Sequence, residues 1–460
     1  MKIKEKAELN MTYGNPIKVI LMFAIPILFG NLFQQLYNIV DTAIIGHVLG
    51  DQALAAVGAT TAIYGLIIGF ASGMTNGFSV VLARAYGAGK NVEIKKTVAM
   101  TVVLTVLVST IITIVGLLGI RPLLIFLNTP ETILEQSLSY LHVILAFTIV
   151  TMLYNMFAGL LRAIGNSRMP LLFLIVSTIV NIVLDILFVQ GLHMGIEGAA
   201  YATVIAEIVS VVFCIVYIKK YCRLLWPEKE YLVWKKTLVS ELFLTGLSMG
   251  LMIALASIGS VALQSSVNSL GEEIIAGHTT ARKIHDILIM PLGTISVAAS
   301  TFVSQNYGAG KNHRVYKGIE ASILISFVWN VITCLIAWTG SLYLVRILTG
   351  SSDENVIQTA ILYLKINVPF YFLLSILLVL RCSLQGIGKK ILPLIVSGIE
   401  LVLKFAAVGM ITPTLGYMGV CIIEPLTWGI CVVIVFVDFF LFVKQVRKKE
   451  FKEDVQMIEN

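Results

Sequence analysis

The chain has 460 residues, of which 58% are hydrophobic and only 13% charged. A soluble domain carries roughly 25% charged residues, so this balance excludes a soluble multidomain enzyme and a disordered chain, and it demands lipid as solvent. The net charge of +7, from 33 Lys and Arg against 26 Asp and Glu, points to basic loops on one side of a membrane rather than to nucleic-acid binding. Six Cys (214, 222, 334, 382, 421, 431) show no CxxC spacing, which argues against a zinc site and a disulfide framework.

A helix needs about 20 apolar residues to cross the hydrocarbon core. Twelve such stretches are predicted, at 17–44, 53–79, 97–119, 134–157, 169–190, 196–218, 238–268, 274–303, 318–340, 357–380, 391–412 and 417–443. The second and eighth are interrupted by Gly and polar residues and are the least regular. A charged head, Met1 to Lys6, precedes a first span too long for the apolar core of a signal peptide, so no cleavable leader is expected. With both termini placed in the cytoplasm, 27 Lys and Arg fall in inside segments, among them Arg381 to Lys390, and only Arg121 and Arg346 fall outside. This asymmetry predicts an even number of spans and both ends inside.

The chain repeats itself. Tyr86-Gly-Ala-Gly-Lys-Asn91 recurs as Tyr307-Gly-Ala-Gly-Lys-Asn312, Ile164-Gly165 with Pro170 recurs as Ile387-Gly388 with Pro393, and Met194-Gly195 recurs as Met418-Gly419. The offset is 221 to 224 residues and covers six spans, so the halves share one orientation, a parallel repeat found in transporters. The expected fold is an all-α integral membrane protein of twelve transmembrane helices in two pseudo-symmetric six-helix bundles. Residues 1–218 form the first lobe, 219–237 a cytoplasmic linker, 238–443 the second lobe and 444–460 a cytoplasmic tail. The Gly-Lys pair is read as a tight turn between helices. A phosphate loop would need Ser or Thr after the Lys, where Asn91 and Asn312 stand. Without H-E-x-x-H, G-x-S-x-G or a separate soluble domain, the chain reads as neither an enzyme nor an ATP-driven pump by itself.

Polar groups inside spans mark function, because each ionisable one costs a few kcal/mol to insert. In the first span Asn31, Gln34, Gln35, Asn38 and Asp41 recur every three or four residues and form one stripe of a helix that Pro26 should bend near Gly30. Amides alone would suit a helix interface. A carboxylate such as Asp41 needs a partner. Asn181 and Asp185, i and i+4 in the fifth span, supply one face, and Thr203 and Asn155 add further oxygens. Such a set suits a hard cation, with Asp41, Asp185, Asn181 and Thr203 as ligands for Na⁺. It also suits H⁺, because two close carboxylates disfavour a second charge. A purely local Asn181–Asp185 bond is the plainer alternative. Asp41, Asn181 and Asp185 match Ala262, Lys404 and Val408 in the second half, so ion coupling is expected in the first half alone. There Glu400 and Lys404 (i, i+4) are expected to neutralise each other, while His278, Arg282, His285 and Asp286 make a stripe on the eighth span. Glu207 and Glu424 read as isolated acids. The Met residues, Met290 among them, suit an adaptable apolar pocket or plain core packing.

Pro26 and Asp41 in the first span, the two six-helix halves and the Leu161-Arg-Ala-Ile-Gly-Asn-Ser-Arg-Met-Pro170 turn together resemble the multidrug and toxic compound extrusion (MATE) family over nearly the whole chain, Asn15 to about Lys444. The resemblance implies two bundles around a cavity that opens to either face in turn, and efflux of organic, often cationic, compounds in exchange for H⁺ or Na⁺. It implies no cofactor, no nucleic-acid partner, small organic substrates and membrane lipids as partners, the cytoplasmic (inner) membrane as location, and a functional monomer. In its DinF-like branch the coupling residues correspond here to Asp41, Tyr140, Asn155, Asn181, Asp185 and Thr203, and a cavity residue corresponds to Gln34. The NorM-like branch places a Glu in the seventh helix, but Leu251 to Gln264 contains no acid. The expected substrate cavity takes in Asn31, Gln34, Asn38, Met290, Arg282, Asp286 and Lys404, although the two basic residues fit poorly with a purely cation-accepting cavity. The alternative is a flippase for lipids or lipid-linked oligosaccharides on the same helix plan, in which Arg282 and Lys404 would meet a phosphate.

Overall fold

A computed structural model describes residues 9–349 and 353–459, with side chains through Lys444 except at 349. The charged head Met1–Lys6 lies outside the described residues. Fifteen α-helices are described: α1 (Pro16–Leu49), α2 (Asp51–Gly87), α3 (Asn91–Phe126), α4 (Glu131–Ala146), α5 (Thr148–Ala163), α6 (Arg168–Asp185), α7 (Gly195–Tyr221), α8 (Lys236–Asn268), α9 (Glu272–Gly308), α10 (Asn312–Thr339), α11 (Ser341–Thr349), α12 (Glu354–Asn367), α13 (Tyr371–Gly386), α14 (Ile391–Leu415) and α15 (Tyr417–Glu459). Eleven spans are apolar and long enough to cross a membrane, and α4 with α5, bent by 48° at Phe147, makes the twelfth. Each half of the chain supplies six. The second and eighth spans, irregular by sequence, are unbroken 37-residue helices, α2 and α9. Their polar and Gly positions are accommodated by packing rather than by breaks.

The interruptions fall instead in the fourth and tenth spans. The tenth joins α12 to α13 through a 3₁₀ turn, Val368–Phe370, that contains Pro369. Proline cannot donate the helical bond there, whereas the break at Phe147 has no proline and no sequence signal that we recognise. The repeated turns share a backbone conformation. Gly89 and Gly310 have φ +67° and +71°, and Gly165 and Gly388 have +88° and +93°. Side chains with a Cβ avoid that region, which is why these glycines recur at a constant offset.

By its internal contacts the chain divides into two units. One gathers Met22–Ala254 with the described residues up to Met11, and the other gathers Thr12–Leu21 with the residues from Leu255 onward. The division falls within α8. In the first unit, α2 and the start of α8 approach through Gly73 and Gly77 on one side and Gly246 and Gly250 on the other. A Cβ built on Gly77 would come within 2.5 Å of the Gly246 Cα, and one on Gly73 within 2.7 Å of the Gly250 Cα. Small residues four apart permit such backbone contact between membrane helices. Gly77→Val is therefore expected to destabilise the protein by more than an ordinary overpacked site, which costs about 1–3 kcal/mol, because the clash is with backbone. A melting temperature in detergent equal to that of the wild type would contradict this packing.

The second unit has one large apolar core that draws on α9, α12, α13 and α15, with Tyr363, Tyr371 and Trp428 inside it. In the same unit Lys311 donates to the Thr12 carbonyl at 3.0 Å and Arg314 to that of Gly14 at 2.9 Å. The first unit packs as several smaller cores, and its polar residues lie among them.

Candidate ion and cargo site

The first unit brings α1, α4, α5, α6 and α7 together around a group of polar side chains. On α1, Asp41 is 7% exposed. Asn31 is partly buried and Gln34, Gln35 and Asn38 are exposed, so the stripe turns from an open flank to a buried edge along the helix. Tyr37, one turn before Asp41, hydrogen-bonds Thr203 Oγ1 of α7 at 2.8 Å. The helix continues through Pro26. The proline leaves the Met22 carbonyl without its usual donor, so α1 is weakest to bending there.

Asn181 and Asp185 of α6 are fully buried, at 1% and 0% exposure. With its amide turned so that nitrogen meets carboxylate, Asn181 donates to Asp185 Oδ2 at 2.9 Å and accepts from the backbone N–H of Thr203 at 3.3 Å. Asp185 is the last residue of regular α-helix. Ile186–Gly191 continue as a π-helix, a distortion that is frequent at functional sites. Asp41 and Asp185 lie close enough for their charges to interact, and Tyr140 of α4 is within electrostatic range of both. One oxygen of each carboxylate, Asp41 Oδ1 and Asp185 Oδ1, is buried without a hydrogen-bond partner. Among the described residues neither acid is in an ion pair. Two such orphaned oxygens with an amide and hydroxyls nearby form a donor set that fits a proton or a hard monovalent cation. Asn155 is tied to its own helix, donating to the Thr151 carbonyl at 2.9 Å.

Sequence reasoning missed three members of this group. Tyr37 sits four residues before Asp41, and that spacing was the available signal. Thr151 donates to Glu207 Oε2 at 2.5 Å, so Glu207 is not isolated. Glu207 in turn follows Thr203 by four residues on α7. Tyr64 of α2 lies within electrostatic range of Glu207 and Asp41, and nothing in its sequence context marked it.

The second unit corrects the other expectations. Glu424, read as isolated, accepts from Arg282 at 3.0 Å and from the Tyr363 hydroxyl at 2.7 Å, and Lys404 lies 3.8 Å away. Lys404 meets Glu400 at 3.3 Å, as the i,i+4 spacing suggested, and Glu400 is also held by Arg381 at 2.8 Å. Arg381, counted with the inside loop, is 4% exposed. Arg282 reaches Asp286 only at 4.0 Å, so its main partner lies on another helix rather than one turn away. Arg282 and Lys404 are thus occupied by protein carboxylates, whereas Asp286 is largely exposed and Met290 partly buried. The stripe's histidines meet tyrosines, His278 Tyr417 at 3.1 Å and His285 Tyr371 at 2.7 Å. Among the described residues the buried acids of this unit, Glu400 and Glu424, have basic partners and Asp41 and Asp185 of the first have none; the chain sets Lys404 where the first half has Asn181.

Comparison with known proteins identifies the family. The MatE family model matches residues 26–187 and again 248–408, one copy in each half. The probable multidrug resistance protein YoeA of Bacillus subtilis (strain 168) is 26% identical over 84% of this chain and 85% of its own length. The DNA damage-inducible protein F of Escherichia coli (strain K12) is 26% identical over 76% of this chain and 77% of its own. A structure described as the outward-facing conformation of a multidrug resistance MATE family transporter superposes with a TM-score of 0.88, at 24% identity, over 96% of this chain and 99% of that one. The chain belongs to the MatE family, the multidrug and toxic compound extrusion (MATE) transporters.

Proposed function

We propose that the protein is a secondary antiporter of the cytoplasmic membrane that exports small organic compounds in exchange for H⁺ or Na⁺. The observation that carries this is the pair of buried acids, Asp41 and Asp185, each with an oxygen that lacks a hydrogen-bond partner and neither matched by a base among the described residues. In lipid such a pair is costly unless a cation joins it. An ion arriving from outside binds Asp41 and Asp185 with Asn181, Thr203, Asn155 and Tyr140 around them. It thereby favours one setting of α1 about Pro26. Asn31, Gln34 and Asn38, on the open flank of the same helix, hold cargo in the other setting. Linkage then makes ion and cargo favour opposite states, which is exchange.

In this reading residues 1–218 and 238–443 act as the two lobes about the 219–237 linker, both ends face the cytoplasm, and one chain suffices. The names of the relatives support small toxic compounds as cargo. The lipid reading gains nothing from Arg282 and Lys404, because Glu424 already holds both.

The test is export of a fluorescent compound from sealed vesicles with an imposed inward H⁺ or Na⁺ gradient. Export should stop when an ionophore collapses the gradient, and its rate against Na⁺ concentration at fixed pH identifies the ion. Export that continues after collapse, with no other energy source present, overturns the proposal.

A further inference from the structure

The segment between α7 and α8, residues 222–235, is folded rather than slack, and it treats its two tryptophans differently. Two short 3₁₀ turns, Arg223–Leu225 and Lys229–Tyr231, run through it. Cys222 and Leu225 are buried in a core that α5 and α7 line, and Trp226 packs against that core. Lys95 of α3 pins the middle of the segment. Its ammonium donates to both oxygens of Glu228, at 2.9 and 2.8 Å, and lies 4.8 Å from the centre of the Tyr231 ring.

Beyond Tyr231 the packing ends. The Val233 N–H donates to the Tyr231 carbonyl and the Lys235 N–H to that of Val233, both at 2.9 Å, two tight turns in succession. They present Leu232, Val233 and Trp234, which are 54%, 46% and 64% exposed. Three consecutive apolar side chains left open are an error in a water-facing loop unless they bind something. Lys235 and Lys236 follow directly, and Arg223 and Lys229 are exposed in the same segment. Among the described residues none of these four bases is in an ion pair. From Lys219 to Lys236 six bases stand against two acids, Glu228 and Glu230, and Lys95 already holds Glu228.

Position and charge together name the occupant. α8 begins at Lys236, and its first exposed apolar pair, Phe243 and Leu244, stands roughly 10 Å further along the helix axis. That distance is comparable with the thickness of one headgroup layer. A helix whose Phe243 meets acyl chains therefore sets Trp234 among headgroups, where tryptophan rings settle. Uncompensated lysines beside that ring favour a negatively charged leaflet over a neutral one.

We propose that residues 232–236 form a lipid-recognition site: Leu232, Val233 and Trp234 seat in the headgroup layer while Lys235 and Lys236 hold the phosphates of anionic phospholipids. The site fastens the start of α8 to the membrane surface, about three turns before the glycines that meet α2. The proposal takes from the reading above only the placement of the 219–237 linker at the inner leaflet.

The test titrates the whole purified chain in detergent with dioctanoyl phosphatidylglycerol, which is anionic, and with dioctanoyl phosphatidylcholine, which is zwitterionic. Trp234 reports binding, as the difference in fluorescence between the wild type and Trp234→Phe. The wild type should bind the anionic lipid more tightly. Lys235→Gln with Lys236→Gln should weaken that binding about tenfold or more and leave the zwitterionic lipid and the melting temperature unchanged. Lys235→Arg with Lys236→Arg should retain the preference. A second measurement locates the ring. In nanodiscs, phosphatidylglycerol brominated on its acyl chains should quench Trp234.

Equal affinity for the two lipids, or a double Gln variant that keeps the preference, overturns the proposal. So does a Trp234 that brominated lipid does not quench, which would mark the patch as one for a cytosolic protein. Displacement of the lipid by inorganic phosphate at equal concentration overturns it too, because the site would then recognise a free anion. Neither measurement uses an ion gradient, a cargo or a sided membrane, so a failure of the antiport reading and a failure of this one are distinguishable.

Discussion

Asp41→Asn is expected to cut gradient-driven export at least fivefold while leaving the protein at least as heat-stable as the wild type. The carboxylate is 7% exposed, and among the described residues its Oδ1 has no hydrogen-bond partner and no base compensates it. Such a group destabilises the resting fold until a cation arrives. Asparagine keeps the shape and removes the charge, so the fold loses nothing. Coupling loses its ion. Site-to-site coupling of about 1–3 kcal/mol corresponds to a 5- to 150-fold effect, and export in vesicles should fall within or beyond that range. The paired measurement is a melting curve of the purified protein beside the vesicle assay. Undiminished coupled export, or a melting temperature lowered as far as that of the variant discussed next, would reject the assignment.

Glu424→Gln should do the opposite to stability. It removes the carboxylate shared by Arg282 and Lys404, leaving two cations short of a partner in the interior. Breaking a buried pair from one side costs about 3–5 kcal/mol, a fall in melting temperature of roughly 3–5 °C for a chain of this size. The network also predicts its own rescue. With Lys404→Met added, Arg381 retains Glu400 and Arg282 retains Asp286, so charge balance returns and part of the loss should be recovered. A double variant no more stable than Glu424→Gln alone would contradict the shared role of that carboxylate.

The twelve spans, the repeat and the Asp41, Asn181 and Asp185 positions are legible in the sequence because each depends on local spacing. Hydropathy needs only a window, a stripe needs only the period of a helix, and the glycines of the repeated turns are dictated by backbone conformation at those points. What stayed hidden depends on which helices meet. Glu424 looked isolated because Arg282 lies 142 residues away. Thr151 and Glu207 find each other across two helices separated by 56 residues. The break at Phe147 has no proline to announce it, unlike its counterpart at Pro369. The Gly73–Gly77 and Gly246–Gly250 spacings are visible as pairs of small residues, but only the fold shows that one pair lies against the other.

The ladder Arg381, Glu400, Lys404, Glu424 and Arg282 fastens α9, α13, α14 and α15 to one another. A membrane voltage delivers about 2.3 kcal/mol per elementary charge per 100 mV, less than one severed rung of that ladder would demand. If the proposed exchange moves one ion per cycle, that ion cannot shear those four helices apart and still perform useful work. In that reading they travel as a single block, and the bending that transport needs falls to the first unit, whose buried acids Asp41 and Asp185 form no ion pair among the described residues.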